Sequence, residues 1–187
     1  MTAQIVTSHT GARDNYDGIS RVNHWLTAFA MIAMLCFGFY LAWIAEPGPQ
    51  KGAIVQIRKA CGVLVFLFVL WRVGYRLAQG FKPDAAPMPP WQEIAARTVH
   101  WVLIAGRVLM PVSGMLGSYF SGRSTNVFGL FTIPSGPEVK LISGPAHELH
   151  AIIAWVLVIA IAAHVAGALK HHLIDRDTTL LRMLGRA

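Results

Sequence analysis

Residues Glu148 to Leu169 read ELHAIIAWVLVIAIAAHVAGAL, an unbroken apolar run that holds one carboxylate at its start and two histidines. A helix needs about 20 predominantly apolar residues to cross the hydrocarbon of a bilayer. The stretch therefore marks an all-α membrane protein. Working outward, three more runs of this kind occur, at about Val22 to Ala45, Ala53 to Tyr75 and Ala95 to Tyr119. Together they predict a four-helix transmembrane bundle that forms a single domain over residues 1–187.

The punctuation agrees. Asp17 or Ser20 can cap the first helix, and Glu46-Pro47-Gly48-Pro49 closes it. Pro83, Pro87, Pro89 and Pro90 mark an extended connection before the third span, which carries Pro111 as an expected kink. The segment from Ser121 to Ala146 is rich in Gly, Ser and Pro and too polar to cross, and Lys170-His171-His172 ends the fourth span.

Composition points the same way, with 55% hydrophobic and only 13% charged residues, where a soluble domain carries about a quarter charged. The net charge of +7 does not indicate nucleic acid, because the basic residues flank the apolar runs and form no stripe along one face. Beside the tails and the second connection lie ten cations: Arg13, Arg21, Arg72, Arg76, Lys82, Arg97, Lys170, Arg176, Arg182 and Arg186. The first and third connections hold five: Lys51, Arg58, Lys59, Arg123 and Lys140. Membrane proteins keep Lys and Arg inside, so both termini are expected in the cytoplasm. Trp25, Trp43, Trp91 and Trp101 fall near span boundaries, as an interfacial aromatic belt requires. Cys36 and Cys61 lie inside apolar runs without a CxxC, which reads as inert thiols. The polar N-terminus lacks the charged-then-apolar pattern of a leader, so no cleaved leader is expected.

Eight histidines decide the chemistry. His9, His171 and His172 fall in tails and read as solvated, whereas His24, His100, His147, His150 and His164 lie within or at the ends of spans. A polar side chain in a span is costly without a partner. His150 and His164 are 14 residues apart, which is about 21 Å along one helix and nearly the same azimuth. That spacing suits two haems stacked across a bilayer. His24 lies at the depth of His164 and can offer the opposite axial ligand, and two imidazoles make a six-coordinate b-type iron that passes electrons without binding substrate. His147 fits the series less well. The alternative for each histidine taken singly is an interhelical hydrogen bond. Zinc is a rival metal, but no HxxxH or carboxylate–histidine cluster at zinc spacing is apparent.

Arg107, in the middle of the third span, is a functional candidate by its position alone. It reads either as a contact for a haem edge, a propionate or a quinone head group, or as a partner for backbone carbonyls. His100 begins the third span as a quinone-site or proton-donor candidate, or as a simple interfacial residue. Arg72 and Arg76 snorkel to the interface or meet a propionate.

Three segments carry a family resemblance: ISRVNHW at Ile19–Trp25, NVFGLF at Asn126–Phe131, and ALKHHLID at Ala168–Asp175 followed by TLLRML at Thr179–Leu184. From about Tyr16 to Gly185 the chain resembles the bacterial cytochrome b561 proteins of the inner membrane. The resemblance implies a four-helix di-haem cytochrome that exchanges electrons with the quinone pool, with ubiquinone as substrate. One branch of the family oxidises superoxide at the periplasmic face. Another lies near a periplasmic lipocalin-like isoprenoid-binding protein, so a periplasmic partner is implied, and related subunits anchor hydrogenases and formate dehydrogenases. A haem-binding anchor subunit is therefore the alternative to an independent, quinone-linked oxidoreductase.

By resemblance, His24 and His164 hold the cytoplasmic haem and His150 is one ligand of the periplasmic haem. The second periplasmic ligand departs from the family pattern, because Ile57-Arg58-Lys59-Ala60-Cys61-Gly62 puts Arg58 where the family has histidine. A guanidinium offers iron no lone pair. Three outcomes are open: an empty site, a five-coordinate haem on His150, or completion by His147, Met115 or Lys59. The reading adopted is an altered but occupied site, with Arg58 beside a propionate.

Overall fold

The computed structural model describes residues 16–79 and 89–186, the side chains of 76–79 excepted; His9, Arg13, Lys82, Pro83, Pro87 and the side chain of Arg76 lie outside it. Four long helices carry the fold: α1 (Gly18–Trp43), α2 (Pro49–Gln79), α3 (Pro90–Tyr119) and α4 (Lys140–Lys170). All four are long and apolar enough to cross a membrane. Between α3 and α4 lies a hairpin of β1 (Thr125–Val127) and β2 (Phe131–Ile133), and a π turn (His171–Asp175) leads from α4 to the short α5 (Thr179–Leu184).

Each helix starts before its apolar window, and α1 stops two residues short of the expected Ala45. Asp17 starts α1 by accepting from the Ser20 backbone N–H at 3.0 Å. Pro90 opens α3, where its missing N–H costs nothing, and Glu93 pairs with Arg97 one turn later. The largest extension is in α4, which begins at Lys140 and accommodates Pro145. The expected loop to Ala146 is thus already helical in its last part.

The bundle is apolar outside. Ile159 is 67% exposed, and Phe29, Trp43 and Trp101 also face outward, whereas Leu157 is fully buried. An apolar exterior of this extent needs lipid around it. Small residues set the closest helix contact. A Cβ on Gly106 would lie 2.5 Å from Leu157 Cδ2, and one on Gly117 would lie 3.0 Å from the His147 ring. Helices α3 and α4 therefore approach closely in the small-residue manner of membrane helices. α1 packs its backbone chiefly against α2. Against α4 it brings side chains: Leu35 meets the Ile153 and Leu157 cluster, and Phe39 lies edge-on to Trp155 at 4.9 Å.

The hairpin folds back onto the bundle. Val127 is completely buried with Ala60 and Val63 of α2, and Met115 and Ile133 pack around them. Phe128 and Gly129 both take positive φ, 50° and 76°, as the central residues of a type I′ turn must. Leu130 N–H closes that turn on the Val127 carbonyl at 2.9 Å. At the opposite end of the bundle the two ends of the described chain meet. Tyr16 N–H donates to the Arg182 carbonyl at 3.4 Å, and Trp25 Nε1 donates to the Met183 carbonyl at 3.4 Å. This end is called the terminal side below, and the hairpin end the far side.

Candidate cofactor site

Two levels of polar side chains cross the bundle. At the terminal side, His24 sits in the second turn of α1, where Thr27 secures the local backbone by donating to the Asn23 carbonyl at 2.6 Å. Trp25 stands edge-on to the His24 ring at 5.4 Å. Across the gap to α4, the His24 and His164 rings face each other with centroids 6.1 Å apart and planes at 51°. His100 of α3 lies edge-on to His164 at 5.3 Å. Arg72 and Arg107 are near enough to His24 to act on it electrostatically.

The His24–His164 spacing can be tested against a metal. A metal–imidazole bond is about 2 Å long, and a ring centroid lies about 1 Å behind its bonding nitrogen, so two axial imidazoles need centroids about 6 Å apart. The observed 6.1 Å fits. Arg107 Nε, buried without a hydrogen-bond partner among the described residues, suits an anionic substituent. His24, His100 and His164 do not bring their nitrogens within 4.8 Å of one another as a set. A compact three-histidine ion site is therefore absent among the described residues, and the arrangement favours b-type haem over zinc.

At the far side, His150 of α4 is fully engaged. Its Nδ1 lies 2.9 Å from the Met110 carbonyl and 3.2 Å from Ser113 Oγ. Its Nε2 lies 3.2 Å from Arg58 Nη2. The guanidinium rests against Gly38, where a Cβ would come within 2.7 Å of Nη2. The other far-side candidates point elsewhere. His147 bonds the Ser143 carbonyl through Nδ1 at 2.7 Å, Lys59 donates to the Ser124 carbonyl at 2.7 Å, and Met115 packs against the Val127 cluster.

Two features escaped the sequence. His171 was expected in solvent, yet its side chain is only 16% exposed, and a carboxylate–histidine cluster not expected from spacing does form. His171 Nδ1 lies 2.7 Å from Asp177 Oδ2 and 3.2 Å from Asp175 Oδ2. The π turn creates this contact by its wider winding, and Arg176 at φ 54° returns the chain. Asp175 is also paired with Lys170 at 2.6 Å, and Asp177 ties down the start of α5 by accepting from the Thr179 N–H at 2.8 Å. The second feature is an apolar groove of about 490 Å³ between α1 and α5, lined by Arg21, Val22, Trp25, Leu26, Met183 and Leu184. The shared Leu and Met of TLLRML were its only sequence signal.

With this geometry in view, comparison with known proteins is informative. Residues 15–186 match the family described as prokaryotic cytochrome b561. The chain is 31% identical over 184 residues to "Cytochrome b561 homolog 2" of Escherichia coli K12, covering 96% of each chain. It is 28% identical over 167 residues to "Cytochrome b561 homolog 1" of the same strain, covering 87% of this chain and 93% of that one. To the "Probable superoxide oxidase CybB" of Yersinia pestis it is 24% identical over 168 residues, covering 86% and 90%.

Proposed function

The chain belongs to the prokaryotic cytochrome b561 family, a multi-pass inner-membrane electron-transfer cytochrome with b-type haem, and from that premise we propose that its haem lies between His24 and His164 and exchanges electrons with ubiquinone. The observation that carries this reading is the 6.1 Å facing of the two rings. When bound, the haem supplies a one-electron couple at iron.

The protein's own residues do the rest. His24 and His164 present neutral ring nitrogens from opposite helices, and Trp25 and His100 hold the two rings edge-on. Arg72 and Arg107 balance negative charge at this level. The groove beside Trp25 offers apolar walls and the Arg21 guanidinium to a quinone, and His100, exposed beside His164, is the candidate for proton exchange at this level. The excess of Lys and Arg on the terminal side supports a cytoplasmic location for this level. Superoxide oxidation is the second reading, favoured by the similarity to the probable superoxide oxidase.

The test uses the purified protein in detergent under anaerobic conditions. A reduced-minus-oxidised spectrum should show b-type haem that ubiquinol reduces and ubiquinone reoxidises. Haem that does not respond to the quinone couple would leave an anchor subunit as the reading. Quinone-dependent consumption of superoxide separates the enzymatic version, since an anchor shows none.

A further inference from the structure

We propose that this chain is a one-haem cytochrome, whose far-side level is closed by an Arg58–His150 clasp in place of a second haem. The inference rests on the reading of His24 and His164 as the haem pair and adds to it what the other level does.

The hydrogen bonds fix the state of His150. Its Nδ1 faces the Met110 carbonyl at 2.9 Å, which only accepts, so Nδ1 carries the proton. The Ser113 hydroxyl donates to that same carbonyl at 2.9 Å and leaves its own oxygen toward Nδ1. The lone pair is therefore on Nε2, and the guanidinium, a permanent donor, takes it at 3.2 Å. Iron would need that same lone pair. It cannot share it with a cation that has no other hydrogen-bond partner among the described residues.

Space gives the same result. Gly38 follows His24 by 14 residues, the spacing of His150 and His164, so α1 presents bare backbone at the far level as α4 presents His150. The gap that this glycine opens holds the Arg58 guanidinium, within van der Waals reach of where a Cβ would stand. A macrocycle at this level would have to displace it. The substitutes considered are turned elsewhere: Lys59 donates to the Ser124 carbonyl, Met115 packs in the Val127 cluster, and His147 bonds Ser143 through Nδ1 and lays its Nε2 edge against Gly117 of α3. The expected occupied site, with Arg58 against a propionate, would require the guanidinium to leave the nitrogen that it now caps. A chain built this way passes electrons at one side of the bilayer, without a haem-to-haem relay across it.

The test is the haem-to-protein ratio of the full-length protein, from extracted haem and amino-acid analysis. The native chain should give one, and two would overturn the proposal while leaving the His24–His164 reading intact. A ratio of zero would overturn that reading and the inference with it. His150→Ala should keep the ratio and the spectrum of the native protein, and a fall in either would place haem on His150. Arg58→His supplies a lone pair and vacates the Gly38 recess, so its ratio should rise to two, with the original spectrum retained as the sign of a folded bundle. A ratio fixed at one in that folded variant would overturn Arg58 as the block.

Discussion

His24 on α1 and His164 on α4 bring their rings together between the two helices, with centroids 6.1 Å apart. Half-buried imidazoles such as these usually satisfy themselves on nearby carbonyls or hydroxyls. This pair instead holds an iron-sized distance. Replacing either residue with alanine should abolish the b-type haem spectrum at the terminal side. An unchanged spectrum in either variant would refute the pairing.

His100 is placed differently from the pair that it accompanies. It is edge-on to His164 at 5.3 Å and exposed, which suits the proton-transfer role proposed for it. His100→Ala should keep a six-coordinate haem yet slow reduction by ubiquinol by about 100-fold, the lower end of what general acid–base groups supply. Stopped-flow mixing reads the rate. Loss of the haem, or an unaltered rate, would remove His100 from this role.

The Gly106–Leu157 contact should be intolerant of volume. A methyl at Gly106 meets a fully buried Leu157 at 2.5 Å, and overpacking of this kind costs about 1–3 kcal/mol. Gly106→Ala should lower the midpoint for thermal loss of haem absorbance, and adding Leu157→Ala should cost less than the sum of the two single changes. Strict additivity would show that the contact is not tight.

The attachment of α5 should depend on acid. Burial pushes the Asp177 carboxyl up, but hydrogen bonds from Thr179 and His171 outweigh it and hold the group below the ordinary Asp value. A depressed carboxylate contributes stability above its unfolded value of about 3.9 and loses it as pH falls through the folded one. Protection of the Thr179–Leu184 amides, taken relative to the intrinsic exchange rate at each pH, should therefore be weaker at pH of about 3 than at about 7. Asp177→Asn should be weakly protected at both. Equal protection of the native protein at the two pH values would sink the prediction.

The spans were legible because the bilayer imposes a length and an apolar composition that no tertiary contact can waive. The helix ends were not, since Lys140 to His147 is polar in sequence but helical in the interface layer. That His24 and His164 share one level was legible from their depth. The Arg58–His150 bond was not, because it depends on the rotation of α2 about its axis and on the recess at Gly38, neither of which leaves a periodic trace. His171 shows the opposite failure. A charged-looking tail became an ordered contact through a π turn, which hydropathy does not register.

Leu157 falls midway between His150 and His164, seven residues from each, and with Leu35 and Ile153 it seals the centre of the bundle with hydrocarbon. That plug makes the protein two half-molecules in series, each with its own polar chemistry and about 21 Å between them along α4. Changes in one half should add to those in the other without coupling. On the one-haem reading, the far half can then be rewritten without detuning the His24–His164 level.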